Sequence, residues 1–132
     1  MSDETLNIRA VQVLGCEIVR QFGKPKAAKL GKDTPEFGGK TPGRMLFLDQ
    51  LKFHESYDWS NLLLEKVKQL DHQVVIKMDP KYFEIHINHI EQVGMRTEYT
   101  EVGFMEGECE VPLPYHISEV CIGVLEKRLA SE

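Results

Sequence analysis

Several residues in this chain have the type and spacing to do chemistry. Thr34-Pro35-Glu36-Phe37-Gly38-Gly39-Lys40-Thr41 ends like a phosphate-binding loop, and Met45-Leu46-Phe47-Leu48-Asp49 follows as an apolar run closing on an acid. Thr34, however, stands where such a loop needs its first glycine. A phosphate loop also needs a helix immediately after Lys-Thr, so that the helix N-terminus faces the anion. Here Pro42-Gly43 intervenes, so the segment reads as a flexible loop. His86 and His89 are three apart in a segment where Phe83, Ile85 and Ile87 alternate with polar residues. On a strand that spacing sends the two imidazoles to opposite faces, which argues against a shared metal. Glu98, Glu101, Glu106, Glu108 and Glu110 form an acidic stretch without calcium-loop spacing. It reads as a solvated hairpin rim whose charge discourages edge-to-edge strand pairing.

The nucleophiles are no better placed. Cys109 lies between Glu108 and Glu110, and flanking carboxylates oppose a thiolate. Cys16 and Cys121 sit among apolar residues and read as core. There is no C-x-x-C pair and no G-x-S-x-G elbow. His54 and Asp58, with Glu55 adjacent, are a commonplace i, i+4 arrangement near a helix start. No catalytic set, metal site or cofactor is expected.

Charge gives the sharper signal. The chain has 132 residues and a net charge of −5. Between positions 24 and 44, six cations (Lys24, Lys26, Lys29, Lys32, Lys40 and Arg44) face two acids, a local charge of +4 that leaves −9 elsewhere. These six side chains are the candidate binding residues. Residues 23–43 also carry five glycines and three prolines, and read as one long basic irregular loop. Such a loop can meet an acidic protein surface, a second copy of the chain, or a phosphate backbone. Phe37 is its one aromatic, so stacking on bases is poorly supported.

These residues must be positioned by ordinary elements. Leu6, Ala10, Val13 and Leu14 predict a helix over 3–14, with Ser2 as N-cap and Gly15 as a left-handed stop. Segment 16–22 is ambiguous between strand and helix, and 44–53 is read as a short buried strand. Trp59, Leu63, Val67 and Leu70, with Leu62 beside them, predict a helix over 58–70 capped by Asp58. Strands follow at 73–78 and 82–90, joined by the turn Asp79-Pro80-Lys81, with a weaker one over 95–104. Ile117, Val120, Cys121, Val124 and Leu125 predict a closing helix over 115–129. Ile122 and Leu129 fall off that stripe and would suit a homodimer. The order predicts a single α+β domain over 1–132, an α/β sandwich with N-terminal, central and C-terminal helices packed on a small antiparallel sheet.

Leu6-Asn7-Ile8-Arg9-Ala10-Val11-Gln12-Val13-Leu14-Gly15-Cys16 resembles the opening of the phage ABA-sandwich family, small proteins of phages and prophages. Tyr57-Asp58-Trp59-Ser60-Asn61-Leu62-Leu63-Leu64-Glu65-Lys66-Val67 is similar to that family's central helix, and Ile117–Leu125 stands where its last helix falls. Cys16 departs from the aromatic residue common there, and the basic loop is longer than in the family. The resemblance implies a small accessory protein acting by binding, with no activity to carry over.

The N-terminus has no signal-like apolar stretch, and the longest strictly apolar runs are far short of the roughly twenty residues a membrane span needs. The expectation is a reduced, cytoplasmic protein, in a bacterial host if phage-derived. It would be non-enzymatic and would bind a protein partner or itself. A nucleic-acid-binding module using loop 24–44 is the alternative, and an enzyme of unknown chemistry a more distant one.

Overall fold

A computed structural model describes residues 2–32, 34 and 43–131. The chain runs α1 (Asp3–Val13), β1 (Glu17–Gln21), β2 (Lys24–Lys29), β3 (Met45–Phe47), a 3-10 turn (Leu48–Gln50), α2 (Tyr57–Lys68), β4 (His72–Met78), β5 (Tyr82–Val93), β6 (Arg96–Glu108) and α3 (Leu113–Ala130). The fold is α+β, as the hydrophobic periodicity predicts. Its strands form two antiparallel three-stranded sheets, ordered β1-β2-β3 and β4-β5-β6. None of the helices among the described residues is long and apolar enough to cross a membrane.

The first helix starts and stops where its end residues dictate. Thr5 N–H donates to Ser2 Oγ at 3.2 Å, and Asp3 and Glu4 occupy the first turn, where the helix dipole favours negative charge. Gly15 takes a φ of +96° beyond the last turn. Cys16 N–H then reaches back to the Val11 carbonyl and Gly15 N–H to that of Gln12, closing a Schellman motif. The central helix begins earlier than its stripe suggests. Ser56 is the N-cap and Asp58 lies in the first turn. The last helix also begins early, at Leu113, because Pro112 and Pro114 sit where a helix has no N–H to lose.

The main correction concerns the basic segment, which does not form one loop over 23–43. Lys24–Lys29 is the middle strand of the small sheet, pairing Gln21 with Lys24 and Glu17 with Lys29. The two-residue turn Phe22-Gly23 joins it to β1. Both turn residues have positive φ, +53° and +76°, as a primed hairpin turn requires. Pro25 is accommodated beside a register shift at Val19/Arg20. Beyond β2, Leu30 N–H donates to the Arg44 carbonyl at 2.9 Å and Gly43 N–H to that of Leu30 at 2.8 Å, which sets these residues side by side.

One core serves both sheets. Ala28, Leu30 and Leu46 from the small sheet's side and Phe83, Ile85 and Ile87 from the large sheet bury together with the helix stripes. α3 lies against α1, α2 and β6, while α2 also packs on β4. This central position buries α3 on several sides. Ile122 is accordingly fully buried, not part of a free dimer face, although Leu129 is exposed. β6 passes close enough to α3 that a Cβ at Gly103 would lie 2.6 Å from Val124 Cγ2.

Candidate interaction surfaces

The strand period of two sorts the small sheet's side chains. Ala28 pairs with Ile18 and Leu46, and this row faces the core. Lys29 pairs with Glu17 and Met45, and Ala27 with Val19 and Phe47, on the opposite face. There Met45 and Phe47 are each 50% exposed. At the hairpin tip Phe22 is 96% exposed, flanked by Arg20, Gln21 and Lys24. Lys26 is the extra residue opposite the register shift, and its Nζ donates to Gln21 Oε1. Of the six candidate binding residues, Lys24, Lys26 and Lys29 thus share one strand. Lys32 and Arg44 are exposed, and Lys40 lies outside the described residues, as does the Gly38-Gly39-Lys40-Thr41 stretch. The aromatics that sequence spacing failed to associate with this charge are Phe22 and Phe47. Strand pairing brings Phe47 next to β2 from some twenty positions away.

A groove of about 630 Å³ opens between the start of α1, β2 and the 3-10 turn, lined among others by Asp3, Glu4, Lys26, Asp49 and His54. Its floor is organised by Asn7, which is buried. Asn7 Oδ1 accepts from Phe53 N–H at 3.0 Å, which fixes the amide's orientation. Asn7 Nδ2 therefore donates, to the Leu51 carbonyl at 3.3 Å and toward His54 Nδ1 at 3.0 Å. A neutral His54 must then carry its proton on Nε2. Ser118 Oγ donates to the Phe53 carbonyl at 2.8 Å, so both backbone groups of Phe53 are satisfied by side chains from two helices. His54 is partnered by Asn7 and by Glu55, at 3.8 Å, so its spacing from Asp58 carries no pairing role. Among the described lining residues are carboxylates, two amides, an imidazole and an ammonium, but no hydroxyl or thiol. The groove can bind polar groups.

The large sheet has its own open face. Phe83, Ile85 and Ile87 turn inward as alternation predicts, and Glu84, His86 and Asn88 turn outward. Register then places Val75, His86 and Phe104 in one outward row, Lys77, Glu84 and Glu106 in the next, and Tyr82 beside Glu108. His86 Nδ1 lies 3.1 Å from Glu101 Oε2 and Nε2 3.2 Å from Glu84 Oε2. These hydrogen bonds, Glu101 first, raise the imidazole above its ordinary value. The Tyr82 hydroxyl donates to Glu106, which pushes the phenol up to about 12. His89 faces the other side, opposite His72, with ring centroids 5.2 Å apart. The two histidines of the His86/His89 spacing are thus separated by the sheet.

Cys16 and Cys121 are buried and Cys109 is exposed. Burial raises both buried thiols, Cys121 to about 12, which fits packing and opposes nucleophilic chemistry. His116 stacks on Phe83 with ring centroids 4.2 Å apart, and neither ring nitrogen has a hydrogen-bond partner. Burial holds this imidazole below its ordinary value, with Glu119 pulling weakly the other way.

No protein-family model, curated protein or solved structure matches the chain.

Proposed function

We propose that this is a non-enzymatic accessory protein, of phage or mobile-element type, that works by protein–protein binding through the small sheet. The observation that carries the reading is the outer face of β1–β3, where half-exposed Met45 and Phe47 stand beside Lys29 and below the tip formed by Phe22 and Lys24. Apolar side chains rimmed by cations are the anatomy of a protein interface, the apolar part supplying burial and the rim supplying orientation. The matching partner surface is acidic with an apolar centre. The resemblance to phage ABA-sandwich proteins belongs to the same proposal.

A nucleic-acid reading has one observation in its favour. Phe22 and Phe47 are exposed close to lysines, the combination that base stacking requires. The net charge of −5 and the acidic large sheet weigh against it, because a phosphate backbone is repelled by the rest of the molecule.

Fluorescence anisotropy separates the two. The probes are a labelled peptide of alternating Glu and Leu, a single-stranded DNA and an RNA of similar length. The protein reading expects the peptide to bind, more weakly after Phe47→Ala or after Lys24→Ala with Lys29→Ala. Tighter binding of DNA or RNA, falling steeply with salt and lost when Lys24, Lys26, Lys29 and Lys32 become Ala, would replace it with the second reading.

A further inference from the structure

The outer face of the large sheet is a second uncovered surface, and its charge is opposite to that of the first. Glu84, Glu101, Glu106 and Glu108 point outward from it against one lysine, Lys77. Its apolar members are Val75 and Phe104, with Tyr99 further along β6 where Ile90 is its pair. Phe104 and Tyr99 are exposed. On the small sheet, register puts Lys24 and Lys29 in the outer row with Glu17, Lys26 is the extra residue at the register shift, and Arg20 and Lys32 lie near that row but not in it. Each open face therefore offers what the other lacks: aromatics among carboxylates on one, aromatics among ammonium groups on the other.

The two faces cannot satisfy each other within one chain. The inner rows of both sheets bury in the same core, so the outer rows point away from it. Pairing two copies acid face to acid face would oppose like charges, and so would pairing the basic faces. Only an unlike pairing is electrostatically matched.

We propose that the acidic outer face of β4–β6 receives the basic outer face and hairpin tip of β1–β3 from a second copy of this chain. This rests on the reading of the small sheet as a binding surface and names its partner. The contact is heterologous, so each added copy leaves one acidic and one basic face free. Its extent is modest. Three strands about 4.8 Å apart, the longest of six residues rising about 3.3 Å each, give the small sheet a face of roughly 15 by 20 Å. That is below the ~800 Å² per partner of a standard stable interface, so the association is weak and reversible on dilution.

Sedimentation velocity across a concentration series at low salt tests this. The wild-type chain is expected to grow in mass with concentration. Raising salt from about 0.05 to 0.5 M should weaken the association about tenfold, because exposed charges are screened over a few ångströms there. Two charge-reversed variants complete the test: Glu106→Lys with Glu108→Lys, and Lys24→Glu with Lys29→Glu, all at exposed positions and each checked for folding by circular dichroism. Each variant alone should stay monomeric. Their equimolar mixture should associate, since the intact basic face of the first variant meets the intact acidic face of the second, and each variant mixed with wild type should give complexes that stop growing at the altered face. A wild-type chain that stays monomeric at low salt overturns the proposal, as does association indifferent to both variants. If the acidic peptide still binds while the chain stays monomeric, only the self-pairing fails. If neither binds, the reading of the small sheet fails with it.

Discussion

The two sheets are built from the same antiparallel pairing yet serve the molecule differently. Strands β4, β5 and β6 span 7, 12 and 13 residues, and β5 alternates buried and half-buried positions through its first half. Strands β1, β2 and β3 span 5, 6 and 3 residues and leave Met45 and Phe47 half exposed. The large sheet supplies much of the core's bulk through Phe83, Ile85 and Ile87; the small sheet contributes Ala28 and Leu46 and spends its larger outer side chains on its surface. The difference shows which sheet builds the core and which leaves its larger side chains at the surface. A long alternating strand commits every second residue to the core, whereas a short strand with a bulge can turn several of its residues outward.

Substitutions can break this contrast. Phe83→Ala should cost about 3–5 kcal/mol, because it empties a fully buried aromatic site under α3. Phe47→Ala on the small sheet's outer face should stay within about 0.5 kcal/mol, like most surface changes. Urea unfolding of the two variants compares them directly, and equal costs would dissolve the distinction. Gly103→Ala is next, at about 1–3 kcal/mol, since its Cβ would press on Val124 and force β6 away from α3. The same urea titration reads it.

Asn7→Ala probes the segment that joins the two regions. It would strip the Phe53 N–H of its acceptor in a buried setting, at a cost of about 1–3 kcal/mol. Thermal unfolding would record this, and an unchanged midpoint would show that the Asn7 bridge carries no stability.

The smallest effects are pH-dependent and opposite in sign at two histidines of the large sheet's neighbourhood. His116 sits below its ordinary value when folded, so the unfolded chain binds the proton more readily. Its stabilising contribution is therefore present above about pH 6.5 and declines as the pH falls through that range. His86 sits above its ordinary value, so its contribution is full below about pH 6.5 and is lost as the pH rises through its folded value. Urea midpoints from acid to mildly alkaline pH should show His116→Phe weakening the acid-side loss and His86→Gln removing the alkaline-side loss. Parallel shifts in both variants would contradict this assignment.

Much of this was legible in the residues. The stripe of Leu6, Ala10, Val13 and Leu14, the stop at Gly15 and the alternation of Phe83, Ile85 and Ile87 all state their local structure, because periodicity and capping depend on near neighbours. The strand at Lys24–Lys29 was not legible. Its lysines, its proline and its glycine turn all read as loop chemistry, and only pairing with Glu17–Gln21 and Met45–Phe47 makes it a sheet. Ile122 was misleading for a related reason. A helix stripe shows one buried face, but α3 has neighbours on several sides.

The sequence by itself determined the α+β class, the three helices, the β4–β5 hairpin and the separation of basic from acidic segments, each written in local patterns of apolarity and charge. Tertiary structure decided which side chains share a surface: Phe47 beside the lysine-bearing strand, Glu101 beside His86, Asn7 beneath His54. Those meetings depend on strand register and helix docking over many tens of residues, where no local pattern acts and only the packing of one common core selects the arrangement.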